Sequence, residues 1–332
     1  MAVFVANYNH GHYIGDALDA ILRQSVQPAR IDVFDDGSTD DSVEIIQRFA
    51  AKYSHVHLTI KPENQGVLAN MIEWLAAIDT KYVYFAASDD VVIQGLFEQS
   101  LVLLRENPEA GLCSSLCRLM GGDGQDCGMF KSRMLLTEPG CLDPDQARQA
   151  LLEDDSWFNG TGTLYRREAL IAAGGFRPEL ASFTDGFVSR VIAAQYGVCF
   201  IPQALSNWRR DDVGFAGQTN SDLAKAERIA ESALNLMETV YAGSFPNGYS
   251  KVWHGRWQFG LFLTNMTSQS AQRWEAASRI AAKNRVVRSI LFRPILLQIP
   301  IWRKALLAYG LVRLRPYDTV RVIRRKLLRS WK

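Results

Sequence analysis

The chain has 332 residues, 48% of them hydrophobic and 22% charged. That composition excludes a disordered polypeptide and suffices for one large domain with an appendage or for two domains. The formal net charge of +2 conceals an asymmetry: residues 283–332 hold 14 Lys+Arg and one acidic residue, Asp318, a net of +13, while the residues before them hold 23 basic and 34 acidic side chains, a net of −11. A stretch so basic is expected to meet something anionic.

The elements follow one another in a regular order. A short apolar strand is predicted over 3–6, then a helix over 14–24 with Ile14, Leu18, Ile21 and Leu22 on one face, then a strand over 31–34. Ser38 with Asp41 three residues on has the form of a capping box, opening a helix whose inner face is Val43, Ile46 and Ala50. Further strands are expected at 55–60, 82–86 and 111–116, with helices over 66–77 and 94–105 between them. Strand and helix alternating over 1–118 imply a mostly parallel sheet flanked by helices, a Rossmann-like α/β architecture. Residues 119–145 are rich in Gly and Asp, lack a period and are expected to be loop. A helix at 144–153, a strand at 160–165 and helices at 167–173 and 185–196 follow, and from Ser221 on every segment is helical in pattern. The expected division is 1–215 and 216–332, the latter an α-helical C-terminal extension.

Five cysteines, Cys113, Cys117, Cys127, Cys141 and Cys199, form no CxxC pair and are odd in number, which suggests thiols in a reducing compartment. The opening MAVFVANYN has neither a basic leader nor a long apolar core, so no signal peptide is expected and the location is expected to be cytoplasmic. The most apolar late run, SILFRPILLQIPIW, is broken by Arg293, Pro294 and Pro300 and falls short of the ~18 residues that cross a bilayer.

Two acidic pairs carry the chemistry. In an open α/β sheet ligands bind beyond the carboxyl ends of the strands, and Asp35 with Asp36 follows the second strand while Asp89 with Asp90 follows the fourth. Adjacent carboxylates that both stay ionised call for a cation, and hard oxygen ligands suit Mg2+ or Mn2+ with phosphate completing the shell.

The ordered set NYNHGHYIGDALDAILRQS, DVFDDGSTDDS, ENQGV, YVYFAASDD, NGTGTLYRREALIAAGGF and FTDGFVSRVIAAQYG resembles the family 2 nucleotide-sugar-dependent glycosyltransferases, of GT-A fold, over roughly 1–210. The resemblance implies that Ala6, Tyr8, Asp35, Asp36, Asn64, Gly66 and Asp89 border the nucleotide, with Asp36 accepting a hydrogen bond from the base. It implies that Asp90 and Asp89 hold a divalent metal on the diphosphate. It also implies that Asp185 is the base deprotonating the acceptor, with inversion at the anomeric carbon, and that Gly160, Thr161, Thr184, Arg209 and Arg210 contact donor or acceptor. The chain departs from the family pattern in several places: Ala87 stands where many members have an Asp, Thr184 replaces a common Glu, and Leu68, Ala69 and Asn70 replace Ala-Arg-Asn. Two alternatives remain at this level, a catalytically silent member that binds nucleotide-sugar or glycan, and a nucleotidyltransferase.

The donor is expected to be a UDP- or dTDP-sugar, the acceptor a glycan or a lipid-linked molecule in surface polysaccharide or glycolipid assembly. Over 317–331, Val320, Ile323, Leu327 and Trp331 share one helical face and Arg321, Arg325 and Arg329 another, the pattern of an interfacial helix peripheral to the inner face of a membrane. Packing on the catalytic domain, or on a second subunit as a homo-oligomer, is the other use for such helices. No nucleic-acid motif accompanies the charge. His10 with His12 lacks partners at metal-ligand spacing and is set aside as a loop pair.

Overall fold

The computed structural model describes residues 1–130, 132–209, 222–267, 271–282 and 285–320. They form two compact units, Met1–Phe215 and Ala216–Lys332.

The first unit is a ten-stranded sheet covered by helices, the GT-A architecture. Its strands are β1 (Ala2–Asn7), β2 (Arg30–Asp35), β3 (Val56–Ile60), β4 (Tyr82–Ala87), β5 (Val91–Val92), β6 (Leu112–Met120), β7 (Asp126–Met129), β8 (Gly140–Leu142), β9 (Thr163–Arg166) and β10 (Val198–Arg209). The order is β3-β2-β1-β4-β9-β6-β10-β5, with β7 on β6 and β8 on β10. Strands β3, β2, β1 and β4 are mutually parallel; β9 runs antiparallel to both β4 and β6 and joins the parallel half to the pair β6–β10.

Alternation along β2 shows how both faces are closed. Ile31 and Val33 join Val3 and Val5 of β1 under α1 (Gly11–Leu22) through Ile14, Leu18 and Ile21, with Ile46 of α2 (Ser42–Lys52) and Leu101 and Leu104 of α4 (Leu96–Glu106) completing this layer. On the other face the Phe4 ring lies 5.2 Å from Phe34 and 5.5 Å from Trp74 of α3 (Val67–Ala77). Asp32, buried on that face, is matched by the Trp74 indole N–H at 2.8 Å and the Arg30 Nε at 2.8 Å, so this acid in the middle of the strand is not left unpaired.

Several expectations are corrected. Ser38 does not cap α2: the helix starts at Ser42 with Asp41 at its cap position, and Ser38 is drawn instead to Asp35. The segment taken as loop contains β7 and β8, short edge strands too brief and polar to show a period. The strand placed at 160–165 begins at Thr163, and β10, twelve residues long, was not foreseen because the bulges between Ile201 and Ser206 break its alternation. Cys141 and Cys199 are not thiols: they sit opposite each other on β8 and β10 and form a disulfide, while Cys113, Cys117 and Cys127 are free.

The remaining helices of this unit are α5 (Pro144–Glu153), α6 (Arg167–Ala172) and α7 (Thr184–Tyr196). Helix α5 opens on a true capping box, in which Asp143 accepts from Gln146 N and Gln146 Oε1 accepts from Asp143 N. Helix α7 crosses Gly111 so closely that a Cβ there would overlap Ile192 Cγ2 and stand 3.1 Å from Ala169 Cβ.

The second unit is helical: α8 (Leu223–Glu238), α9 (Tyr249–Thr267), α10 (Ala271–Ala281), α11 (Arg285–Leu291), α12 (Pro294–Leu297) and α13 (Pro300–Leu314). Its core gathers Phe262, Met266, Ala277, Ala281, Phe292, Leu297, Leu306 and Leu314. Asp318 is buried between Arg256 at 2.8 Å and Arg315 at 2.6 Å; burial alone would raise its pKa, but the two guanidinium groups hold it below the ordinary carboxylate value. Among the described residues no helix is long and apolar enough to cross a membrane. Of the amphipathic pattern expected over 317–331, residues 321–331 lie outside the described residues.

Gly111→Ala is expected to destabilise the first unit by about 1–3 kcal/mol, because α7 must shift to admit one methyl group; urea unfolding of the variant against the parent checks it.

Candidate active site

β1 is the hub of the acidic rim. Its neighbours run parallel to it, so all three strands end on the same side: Ala6 is in register with Phe34 of β2 and Ala87 of β4. Asp36 N donates to Asn7 O at 2.9 Å and Ser88 N to Ala6 O at 3.1 Å, carrying the ladder one residue past each strand. The two acidic pairs therefore flank the end of β1, two strand spacings or roughly 10 Å apart.

They are built differently. The Asp35 carboxylate is buried and met locally: Asn7 Nδ2 and Ser38 Oγ donate to Oδ2 at 2.7 Å each, and Ser38 N donates to Oδ1 at 2.9 Å. The turn between needs Gly37, whose φ is 79°. Asp36 accepts from Gln65 N at 3.0 Å and Gly66 N at 2.8 Å, so it pins the 64–66 loop to the end of β2. Gly66 takes φ 89°, and nothing stands within 4 Å of where its Cβ would be. Asn64, whose Oδ1 accepts Gly66 N at 3.0 Å, and Tyr8 are exposed. Asn9, at φ 53°, donates its N–H to Ser38 Oγ and accepts Thr39 N on its side chain, stitching the first loop to the second.

Asp90 lies deeper. Its Oδ2 accepts the Thr161 hydroxyl at 2.6 Å and its Oδ1 accepts Arg209 N at 2.8 Å, which draws together the ends of β4 and β10 and the turn before β9. Burial, and then the charge of Asp89, push its pKa up to about 8 against the two hydrogen bonds and Arg209. Thr161 is held from behind by the Tyr84 hydroxyl, which donates to its carbonyl at 2.6 Å. The Arg209 guanidinium is occupied by main chain: Nε donates to Asp89 O at 2.9 Å and Nη1 to Gly121 O and Gly122 O at 2.7 and 2.8 Å, with the Tyr13 ring 4.0 Å beneath. In this state Arg209 ties the β6–β7 connection to the acidic turn. Arg210 lies outside the described residues.

Asp185 reaches the same place from the other side. It stands in the first turn of α7, where the helix dipole favours an anion, and its Oδ1 accepts Gly186 N at 2.6 Å. A Cβ on Gly160 would come 2.7 Å from Asp185 Oδ2, so the carboxylate lies against the bare backbone one residue from Thr161. Burial raises its pKa, outweighing Gly186 N–H and Arg190. Arg190 anchors the segment, donating to Gly186 O at 2.8 Å and to Asp155 at 3.1 Å, with its guanidinium 4.4 Å from the Phe158 ring. Thr184 is buried, its hydroxyl accepting Arg177 N.

The structure thus brings Asp89, Asp90, Gly160, Thr161 and Asp185 together, places Asp36 with Asn64 and Gly66 across the end of β1, and holds Asp35 and Thr184 in internal contacts. Tyr13, Tyr84 and Asn159, which accepts Gly162 N at 2.6 Å to shape the turn, were not picked out from the sequence; they act through partners 70 or more residues away or through a turn that has no motif.

Residues 2–171 match the family model Glycosyl transferase family 2. The chain belongs to that family. A 265-residue stretch is 37% identical to Glycosyltransferase GlyA of Streptococcus pneumoniae serotype 4, covering 79% of this chain and 33% of that protein. A 107-residue stretch is 32% identical to a glycosyltransferase of Haemophilus influenzae, covering 32% of this chain and 43% of the relative; matches of this kind span well under half the relatives' own length. Among solved structures, mannosyltransferase PcManGT of Pyrobaculum calidifontis, in complex with GDP-Man and Mn2+, superposes with TM-score 0.57 at 18% identity over 96% of this chain and 86% of that one. TarS 1-349 of S. aureus in complex with UDP gives 0.51 at 18% identity over 96% and 90%. These likenesses show the fold.

Asp90 also predicts a pH effect. Its native pKa lies above its unfolded value, so between roughly pH 4 and 8 the native state keeps a proton that the unfolded chain releases, and stability is lost as pH rises through that window. In a chelator, the melting temperature is expected to fall from pH 5 to 8 more steeply in the parent than in Asp90→Asn; equal slopes in thermal melts would assign the decline to other groups.

Proposed function

We propose that this glycosyltransferase inverts the anomeric carbon as it moves a sugar from a nucleoside-diphosphate donor to an acceptor hydroxyl. One observation carries the reading: Asp185 and Asp90, 95 positions apart in the sequence, meet across the Gly160 and Thr161 backbone at the carboxyl end of the sheet. One carboxylate at the acceptor side and a separate acidic pair at the diphosphate side are what a single in-line displacement requires.

Asp185 acts as the base. It takes the proton from the acceptor oxygen as that oxygen attacks, and its raised pKa brings it toward the operating range. Asp36 and the 64–66 loop border the nucleobase together with Tyr8 and Ala6. Each Asp36 oxygen accepts one N–H and retains a second lone pair, which suits the imide N–H of uracil or thymine, so UDP- and dTDP-sugars are favoured. The UDP and UDP-GlcNAc complexes of TarS and the GDP-Man complex of PcManGT support the donor class.

Asp89 and Asp90 fit a divalent ion, Mg2+ or Mn2+. Adjacent hard-oxygen donors, one of them with its pKa pushed up to about 8 by burial and then by its neighbour, form a pair that a cation relieves. Among the described residues no third His, Cys, Asp or Glu joins them, which leaves positions for diphosphate oxygens and water. When bound, such an ion neutralises the charge gathering on the departing diphosphate. Thr161 and Arg209 N orient Asp90 for this task. The acceptor is a glycan or lipid-linked hydroxyl, in keeping with surface polysaccharide or glycolipid assembly.

The test is a screen of nucleotide-sugars with Mg2+ or Mn2+, following thermal shift and donor hydrolysis. A UDP- or dTDP-sugar is expected to stabilise the chain only with metal; release of pyrophosphate instead of nucleoside diphosphate would establish a nucleotidyltransferase. Asp185→Asn is expected to lower kcat by about 10²–10⁴ with donor binding retained, and in the parent kcat should fall as pH drops through the raised Asp185 pKa. Full activity in the variant removes Asp185 from the chemistry.

A further inference from the structure

Helix α13 is apolar on two opposite faces. Leu306, Gly310 and Leu314 are buried, and Gly310 passes so close to Phe262 that any side chain there would overlap the ring. At 100° per residue, Ile301, Ala305, Ala308 and Val312 fall on a stripe directly opposite, and all four are exposed, Ile301 at 76% and Val312 at 57%. The stripe runs eleven residues, about 16 Å. An outward apolar stripe on a helix already seated in its core is not explained by folding of the unit.

Charge identifies what would cover it. Residues 285–320 carry seven Lys+Arg and one acidic residue. That acid, Asp318, is buried between Arg256 and Arg315, so it offsets nothing at the surface. Lys304 borders the stripe, Arg313 is exposed at its end, and Arg285 and Arg293 are exposed on the preceding segments, where Ile290 and Ile299 add apolar surface at 51% and 43% exposure. Apolar side chains at the level of acyl chains with Lys and Arg at the level of headgroups are the arrangement of a helix lying in the interface of an anionic bilayer. A second copy of this chain would present the same excess of positive charge and repel it.

We propose that α13 docks the protein on an anionic lipid surface, lying in the membrane plane through Ile301, Ala305, Ala308 and Val312. This goes beyond the proposed chemistry and does not depend on it. None of these residues belongs to the acidic site, and with no helix among the described residues suited to crossing the bilayer, the attachment is peripheral and sensitive to salt.

The test is flotation of the full chain with vesicles of phosphatidylcholine alone or mixed with phosphatidylglycerol, at low and high salt, alongside light scattering to fix the oligomeric state. The chain is expected to float with the mixed vesicles at low salt and to remain behind with phosphatidylcholine alone. Ile301→Asp combined with Val312→Asp should weaken binding about tenfold or more, and Lys304→Glu combined with Arg313→Glu should weaken binding to the mixed vesicles, each with unchanged circular dichroism and donor hydrolysis. Absence of flotation, or flotation that both variants leave intact, overturns the proposal. A dimer that Ile301→Asp with Val312→Asp converts to monomer, without lipid binding by the parent, gives the stripe to a second copy instead.

Discussion

The buried carboxylate of Asp90 is the constraint on which the catalytic unit turns. A charge that deep is expensive unless it is met by donors or a cation, and here the donors come from Thr161 and Arg209, 71 and 119 residues downstream. Closing those two bonds fixes the turn before β9 and the end of β10 against β4. The antiparallel β9 is thereby set between two parallel blocks. Two donors are not enough to hold the group at an ordinary carboxylate pKa.

The other acidic pair shows the contrast. Asp35 and Asp36 occupy the equivalent positions after β2, yet Asp35 is matched by Asn7 and Ser38, and Asp36 by the amides of Gln65 and Gly66. Both pairs look alike as letters. One has been given enough local N–H and O–H donors to serve as scaffold for two loops, while the other borrows its donors from distant segments and has a raised pKa. Two adjacent aspartates near a strand end are therefore held by different means at the two sites.

What was legible in the sequence follows from how local each determinant is. The parallel half, β1 through β4 with α1 to α4, could be laid out from apolar periodicity because β1, β2 and β4 are buried along most of their length and each helix buries one stripe, as Ile14, Leu18 and Ile21 do. The positions of the acidic groups followed from strand ends. The disulfide between Cys141 and Cys199 could not, since it depends on β8 lying opposite β10, and neither edge strand β8 nor bulged β10 has a clean period. The inner roles of Thr184 and the guanidinium of Arg209 escaped for a similar reason: a motif position records a residue type, not which of its atoms are already taken by main-chain partners such as Arg177 N or Gly121 O.

Gly160 brings these strands of argument together. Its requirement is space rather than backbone freedom: the Asp185 carboxylate fills the volume a Cβ would need, while the next residue, Thr161, grips Asp90. A single bare position therefore lets Asp185, in the first turn of α7, stand against the same turn whose next residue binds Asp90, three residues past β4. Larger residues at 160 would push Asp185 back along α7, and since Arg190 ties that first turn to Asp155 and the Phe158 ring, the displacement could not be taken up by the helix end alone. The spacing of Asp185 from the Thr161–Asp90 contact thus depends on one glycine backbone.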